Sequence, residues 1–216
     1  MKLEKMDAFF TARVESYDRH MLTNVEGCGE GYRRMAALLP PGTKTLLDLG
    51  CGTGLELDEI FITHPCVRVT GIDLTQAMLT KLREKHPGKD LKLVCASYFD
   101  VGFGTEAHDA CVSFQTMHHF THEAKATLYQ RIHSALNPGG VYLECDYMVA
   151  EQEEEDIGFA ECERLCREAG AADGAFYHCD TPCTVGNQVR LLQNAGFLSV
   201  EAVWRQGSTT LVVARK

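Results

Sequence analysis

The sequence predicts an α/β fold in which a parallel sheet carries helices on both faces. From Thr45 onward, short apolar runs alternate with segments whose apolar residues recur every three or four positions, a pattern typical of successive strand–helix units. Proline and glycine mark the helix ends, as in the Asn-Pro-Gly-Gly of residues 137–140. A glycine-rich turn follows the first apolar run, at the place where open α/β sheets bind ligands.

Two helices are predicted before the first strand. The first covers about residues 3–17, where apolar residues lie three or four positions apart, and the second covers about residues 29–39. The Pro-Pro-Gly of residues 40–42 ends the second helix. Residues 19–24 mix polar and apolar side chains and are interpreted as a link, so the two helices form a prefix to the sheet.

The alternating region contains five predicted strands and three intervening helices. Thr75 is a candidate N-cap for one of these helices. The strands are expected at residues 45–49, 67–73, 91–96, 109–113 and 140–147, and the helices at residues 55–64, 75–86 and 121–136.

The chain after residue 147 has a different character. The acid-rich residues 151–156 open a charged helix that ends near Gly170 and is interpreted as a lid, since the dipole of a helix start favours negative charge. A helix over residues 184–195 is followed by two β-like runs, 197–204 and 209–214, which we expect to pair as an antiparallel hairpin.

The length and charge of the chain limit the number of domains and the classes of substrate. At 216 residues the chain suits one domain, since domains commonly run to roughly 100–200 residues. The 21 lysines and arginines stand against 30 acidic residues, a formal charge of −9, which repels phosphate backbones. We therefore expect a small-molecule substrate and no nucleic-acid partner, while a homodimer stays open.

Targeting and cysteine patterns indicate a reducing compartment. No apolar run approaches the roughly 18 residues that cross a bilayer, and the N-terminus has no apolar signal region. We therefore expect no membrane association and a cytoplasmic protein. The ten cysteines are scattered and are expected to be reduced thiols, and the nearest pairs, 162 with 166 and 179 with 183, lack the close spacing of a zinc site.

The glycine-rich turn carries the main functional signal. Residues 48–54 read Asp-Leu-Gly-Cys-Gly-Thr-Gly, and glycines at every second position let bare backbone approach a ligand. A dinucleotide-binding G-x-G-x-x-G turn would need glycine where this chain has Leu55. Asp73 ends the next apolar run. The stretch resembles the S-adenosylmethionine (SAM) site of class I methyltransferases.

The resemblance implies a Rossmann-like three-layer sandwich with a mixed seven-stranded sheet that is parallel except for its last strand. It implies a single domain: a helical cap (1–42), a SAM-binding core (43–147), a lid insertion (148–183) and a C-terminal helix with a β-hairpin (184–216). SAM is the implied cofactor. The implied cofactor-binding residues are Asp48, Gly50, Cys51, Gly52, Gly54, Asp73, Leu74, Ser97, Tyr98, Phe114 and Gln115.

Some of these residues have specific expected roles. Asp73 can accept two hydrogen bonds from the ribose hydroxyls, and Asp48 either orders the loop or reaches the cofactor ammonium through water. Family members often place an acid after the third strand to bind adenine, but this chain lacks it there. Ser97 or Asp100 is the expected substitute, and Tyr98 or Phe99 is expected to lie against the adenine.

Methyl transfer mainly requires alignment of nucleophile, carbon and sulfur, together with removal of a proton where the nucleophile carries one. Histidine suits proton removal near neutral pH. The catalytic candidates are His118 and His119, after the fourth strand, and His178, in a loop expected to cover the cofactor mouth. The substrate-binding candidates are Arg13, Tyr17, His20, Tyr147 and Asp180.

The sequence is compatible with other functions. A SAM-modifying enzyme of the carboxy-SAM synthase type would need a cationic pocket, for which Arg13 and Arg205 are candidates. Further alternatives are a non-catalytic SAM-binding protein, a tRNA-modifying enzyme and an enzyme that methylates a soft metalloid held in a thiol pocket. That pocket would use Cys145, Cys162, Cys166, Cys179 and Cys183. The sequence fixes neither the acceptor nor the oligomeric state.

Overall fold

A central sheet organises the residues that the computed structural model describes, 3–172 and 175–216. Residues 1–2 of the predicted cap and 173–174 of the predicted insertion lie outside the described residues. The strands are β1 Thr45–Leu49, β2 Arg68–Asp73, β3 Leu91–Cys95, β4 His108–Phe114, β5 Leu136–Val149, β6 Cys183–Thr184, β7 Ser199–Gln206 and β8 Thr209–Arg215. The helices are α1 Met6–Thr23, α2 Cys28–Leu38, α3 Leu55–Thr63, α4 Gln76–Lys85, α5 His122–Ala135, α6 Gln152–Ala169 and α7 Val185–Asn194, with a 3-10 turn at Met117–His119.

The strand order across the sheet is β3-β2-β1-β4-β5-β8-β7. Strands β1 to β5 pair in parallel, and β8 runs antiparallel to both of its neighbours, β5 and β7. The predicted mixed sheet, parallel except for its last strand, is therefore confirmed. The two-residue β6, which pairs in parallel with the end of β5, is an addition that the sequence analysis did not predict.

Apolar side chains on both faces of the sheet create the three layers. Leu46 belongs to a buried cluster that includes residues of α2, α3 and α4. Leu47 and Leu49 belong to a second buried cluster with residues of α5 and α7. A strand covered on both sides reads as a continuous apolar run, which is why this region of the sequence predicted a sheet between helices.

Threonine caps start two of the helices. Thr121 accepts a hydrogen bond from the amide of Ala124, and Thr184 accepts one from the amide of Asn187, so each satisfies a donor of the first helical turn. Thr75 stands at the predicted N-cap position of α4, but its side chain makes no capping bond. Gly170 ends α6 in the left-handed conformation, as its position after the charged helix suggested.

The predicted link over residues 19–24 is wrong, because α1 continues through Thr23. Met21 lies one helical turn after Tyr17 and packs into the buried cluster beneath α2, so the apolar periodicity extends beyond the predicted helix. The true connection is the short segment 24–27, whose Gly27 has a φ of +82°. This longer α1 lies along one side of the cavities formed at the edge of the sheet.

Helix α6 is held to the rest of the molecule by a buried acid. Glu155 is the one buried residue of this helix, and it accepts hydrogen bonds from the amide of Thr184 and the side chain of Asn187. The Nε2 of His122 lies 2.8 Å from the same carboxylate. Burial raises the pKa of Glu155, but these partners outweigh it and hold the pKa below its ordinary value.

No helix in the described part of the chain is both long enough and apolar enough to span a bilayer.

Replacing Glu155 by alanine should lower the free energy of unfolding by about 2–4 kcal/mol, because the Thr184 amide and Asn187 lose a charged partner in a buried position. Urea unfolding followed by circular dichroism measures this change. Glu153→Ala, at an exposed position of the same helix, is the matched control and should stay within about 0.5 kcal/mol of the parent. Equal losses in the two variants would contradict the anchoring role of Glu155.

Candidate functional site

The glycine-rich turn and Asp73 meet at the carboxyl edge of β1 and β2. The amide of Gly52 donates to Oδ2 of Asp73 at 2.9 Å, and the amide of Thr75 donates to Oδ1 at 2.8 Å. Gly50 has a φ of +73°, and a Cβ at this position would lie 2.6 Å from the Thr116 hydroxyl oxygen. Glycine is therefore required at position 50 both by the backbone conformation and by the space available.

Asp73 is suited to bind hydroxyl groups. Burial raises the pKa of its carboxyl, and the amides of Thr75 and Gly52 oppose that rise. An ionised carboxylate offers about four lone-pair sites, and the two amides occupy two of them. The others remain available for a pair of hydroxyls.

A narrow cleft of about 50 Å³ runs past this carboxylate. It contains most of the predicted cofactor residues, which come from the carboxyl ends of β1 to β4 and reach α1 on the opposite side. Its lining also contains apolar residues that were not predicted, because their only sequence signal was helical or loop packing: Met6, Phe10, Met78, Phe120 and Phe176. The predicted residues that line it are Gly50, Gly52, Asp73, Leu74, Ser97, Tyr98, Phe114 and Gln115.

The end of the cleft beside β3 has no acidic side chain after the strand. Ser97 accepts a hydrogen bond from the amide of Phe99 at 3.1 Å, and the Tyr98 hydroxyl lies 2.9 Å from the hydroxyl of Thr116. Asp100 is exposed and does not line the cleft. Of the two expected substitutes for the missing acid, the structure brings only Ser97 to this wall.

Three predicted cofactor residues do not line the cleft. The side chain of Cys51 packs over Gly71 in the core, and Gly54 lies at the N-cap of α3 against Leu82. Asp48 is fully buried beneath the turn, and neither of its oxygens has a hydrogen-bond partner among the described residues. These residues shape the turn from below because alternate positions of β1 and its loop point into the core.

Asp48 shares its buried position with Glu56 at the start of α3. Burial raises the pKa of Glu56 to about 7, and burial together with the neighbouring Glu56 charge raises the pKa of Asp48 well above its ordinary value. The two carboxyls thus hold a proton near neutral pH.

A second cavity of about 970 Å³ adjoins the cleft and shares Phe10, Tyr17, Gln115 and His119 with it. Helix α1 forms one wall, and the residues after β4 and β5 form another. The structure brings all predicted catalytic and substrate-binding residues to this cavity: Arg13, Tyr17, His20, His118, His119, Tyr147, His178 and Asp180.

His118 is the histidine held by a buried acid. Its Nδ1 lies 2.5 Å from Oδ1 of Asp146, and Oδ2 of Asp146 accepts the amide of Met117 at 2.6 Å. Burial opposes a charge on His118, but the attraction and hydrogen bond of Asp146, together with Asp180, raise its pKa above the ordinary value. With Nδ1 bound to Asp146, Nε2 faces the cavity, 3.7 Å from Asp180.

The other two histidines are electrostatically different. Burial and the charges of His118 and His178 hold the pKa of His119 well below its ordinary value, and its Nδ1 lies 3.1 Å from the carbonyl oxygen of Cys179. Burial also lowers the pKa of His178, whose ring stacks on Phe9 with centroids 3.6 Å apart. Both lowered pKa values favour the neutral ring. Among the described residues, only His118 has a buried carboxylate that orients the ring and favours its charge; the carboxylate near His119, Asp180 at 3.5 Å, is exposed.

Asp146 was not among the predicted site residues. It lies at the carboxyl end of β5, directly before Tyr147, and is 1% exposed. The available signal was its position at a strand end, where open α/β sheets place ligand-binding groups. An acid inside an apolar strand is also rarely buried without a partner, and here the partner is His118.

Within residues 3–172 and 175–216, three groups of side chains have the composition and spacing of metal ligands, each with ligand atoms within 4.8 Å of one another. His118, His119 and Asp180 form one group in the larger cavity, and a second joins α5, α6 and β6. The third consists of Cys162, Cys166 and Cys179.

The prediction that all cysteines are reduced thiols is wrong for one pair. Cys162 and Cys179 are joined as a disulfide, and the other eight cysteines are free. They are 17 positions apart in the sequence and come together only because α6 folds back onto the loop before β6. Of the five thiols in the proposed soft-metalloid pocket, Cys145 and Cys183 lie outside this group.

Part of this chain is similar to known methyltransferases. Residues 46–140 match a family described as "Methyltransferase domain". Trans-aconitate 2-methyltransferase of Rhodopseudomonas palustris is 32% identical over 99 residues, which are 45% of this chain and 36% of that protein. The chain therefore spans little more than a third of the length of this relative.

Two other similarities extend over more of the chain. A carboxy-S-adenosyl-L-methionine synthase of Campylobacter fetus is 24% identical over 188 residues, covering 82% of this chain and 79% of that protein. Human N-acetylserotonin methyltransferase in complex with SAM superimposes with a TM-score of 0.65 at 17% identity, covering 96% of this chain and 55% of the other. This last likeness is one of fold.

Replacing Glu56 by glutamine should stabilise the protein at pH 8 and flatten its pH dependence. Between the ordinary glutamate pKa of about 4.3 and the folded value of about 7, the folded chain binds more protons than the unfolded chain, so the unfolding free energy falls as pH rises. The glutamine substitution removes this loss, a gain on the order of 1–3 kcal/mol at pH 8 that shrinks at pH 5.

Urea unfolding at the two pH values measures the effect. Glu84→Gln, at an exposed position on α4, is the control for a changed surface charge. A pH dependence that is the same in Glu56→Gln and the parent would contradict the raised pKa of this buried carboxyl.

Proposed function

We propose, from the premise that residues 46–140 are a class I SAM-dependent methyltransferase domain, that this chain transfers the methyl group of SAM to a small-molecule acceptor. The observation that carries the proposal is the junction of the narrow cleft with the 970 Å³ cavity, at which Gln115 and His119 border both spaces. A cofactor in the cleft and an acceptor in the cavity would meet there. The formal charge of −9 favours a small molecule over a nucleic acid.

The lining of the cleft fits SAM. Asp73 has lone pairs left for the two ribose hydroxyls, and the bare backbone of Gly50 and Gly52 faces the space in which the methionine part would lie. Ser97 and Tyr98 stand at the wall for the adenine. When bound, SAM supplies an electrophilic methyl group on a sulfonium. Asp48 acts from beneath the turn rather than through a contact with the cofactor.

The acceptor side offers one well-oriented base. A neutral His118 can take a proton at Nε2, since its Nδ1 donates to Asp146 and fixes the ring. The resulting imidazolium is stabilised by the same carboxylate, which is the reason for the raised pKa. His119 and His178 act as neutral hydrogen-bonding groups that shape the cavity, and Tyr147 and Asp180 complete its wall.

A second candidate is modification of SAM itself with a carboxylate donor. It is favoured by the coverage of the Campylobacter fetus carboxy-SAM synthase and by the arginines of the cavity, Arg13, Arg19 and Arg205. Arg205 donates only to the carbonyl oxygens of Gly207 and Met148 among the described residues, so its charge is available to an anion. Mass spectrometry of the ligand retained by purified protein separates the candidates, because carboxy-SAM is heavier than SAM.

Incubation with methyl-labelled SAM and a metabolite extract should yield a labelled small molecule. Asp73→Asn should abolish most of this labelling and weaken the binding of S-adenosylhomocysteine, measured by calorimetry, at least about tenfold, because charge-assisted hydrogen bonds to the ribose are lost. The control is Asp90→Asn, at an exposed position before β3, which should bind like the parent. If Asp73→Asn binds S-adenosylhomocysteine like the parent, with the fold intact by circular dichroism, the assignment of the cleft as the SAM site is contradicted.

The rate of methyl transfer should rise with pH through a pKa above the ordinary histidine value of about 6.5, because His118 must lose its proton to act as a base. Asp146→Asn should shift this rise in rate to lower pH and reduce the plateau rate about 100-fold, while the binding of S-adenosylhomocysteine changes little. His133→Gln, on α5 and outside both cavities, is the control. If the pH at which the rate rises is the same in Asp146→Asn and the parent, another group titrates and the role of His118 as the base is contradicted.

A further inference from the structure

Three sulfur atoms converge where helix α6 meets the loop before β6. The Sγ atoms of Cys162, Cys166 and Cys179 all lie within 4.8 Å of one another. Cys162 and Cys166 are one helical turn apart, so α6 presents both on the same face. Cys179 belongs to the loop and is 8% exposed, whereas the two helical cysteines are half-buried.

The cluster contains one cysteine more than a disulfide requires. Cys162 and Cys179 are sufficient for the bond that joins them, yet Cys166 is a free thiol close to both sulfurs. Three thiolates that can surround a single point form a set of soft ligands, and such ligands select soft cations such as Zn²⁺ and Cu⁺. The half-buried helical side of the cluster leaves a fourth coordination position within reach of water.

We propose that, in the reduced protein, Cys162, Cys166 and Cys179 bind one soft divalent cation, for which Zn²⁺ is the probe. Binding replaces three S–H bonds by three metal–sulfur bonds, so that M²⁺ and three thiols give an M(SR)₃⁻ centre and three protons. The disulfide must first be opened by a thiol or phosphine reductant, which supplies two electrons and is itself oxidised. The disulfide and the metal centre are therefore two alternative states of one cluster.

The site connects α6 to the acceptor cavity. Among the residues of α6 only Glu155 is buried, and it lies in the first turns, so the half of the helix that carries Cys162 and Cys166 has no buried anchor of its own. Cys179 stands between His178 and Asp180, which both line the cavity, and its carbonyl oxygen is the partner of His119. A bound cation fixes this cavity wall to α6.

Binding by the full-length protein tests the proposal directly. After reduction with a phosphine and removal of metals, titration with Zn²⁺ followed by calorimetry should show one site, and titration with Co²⁺ should show sulfur-to-metal charge-transfer absorption. Cys166→Ser should weaken Zn²⁺ binding at least about 100-fold, because one of the thiolates is lost. Cys66→Ser and Cys95→Ser, at exposed free thiols outside the cluster, are the matched controls and should bind like the parent.

Protection from alkylation gives a second readout on the unmutated chain. Zn²⁺ should shield the peptides that contain Cys162, Cys166 and Cys179 and leave the Cys66 peptide reactive. Absence of stoichiometric binding, equal affinity in Cys166→Ser, or shielding of other cysteines would overturn the proposal. S-adenosylhomocysteine binding is measured separately on the same samples, so the fate of this site is independent of the proposed methyl transfer.

Discussion

The contact between the glycine turn and Asp73 is the constraint on which the rest of the site depends. The Gly52 amide holds one oxygen of this carboxylate and the Thr75 amide holds the other, so the ends of β1 and β2 are joined across the edge of the sheet. Because Thr116 leaves no room for a side chain at Gly50, the turn also lies against the residues that follow β4. The half-buried Asp73 and the bare Gly50 together bring three strand ends into a single cleft.

The chemistry of the acceptor side follows from the unequal surroundings of three buried or half-buried histidines. His118, His119 and His178 share one wall, and water exclusion disfavours a charge on each of them. Only His118 has a buried carboxylate beside it, so only its pKa rises. Asp146 in turn is held by the amides of Met117 and Tyr147, which keep its position fixed when the proton moves.

Helix α6 and the loop that carries His178 and Asp180 are joined to each other and to the rest of the molecule partly through polar and thiol groups. Glu155 fixes the start of α6 to the cap of α7, and the cysteine cluster joins its later turns to the loop that carries His178 and Asp180. Both attachments use polar or thiol chemistry, and the apolar packing of Phe176 against Phe99 and Phe120 adds to them. Such attachments respond to protonation, reductant or metal, whereas the apolar core beneath the sheet does not.

The sequence alone predicted the mixed, mostly parallel sheet, the glycine-rich turn, the place of Asp73 at a strand end and the residues that line the larger cavity. Each of these depends on a local pattern: the period of the apolar residues, the residues that end helices, or strand ends that must share an edge. It did not extend α1 through Met21, and it left two roles open for Asp48, because the end of the helix and the burial of Asp48 both depend on which face packs inward. The pairing of Asp146 with His118 and the meeting of three cysteines were decided only by tertiary structure. These groups are far apart in the chain, and no local periodicity encodes the distance between them.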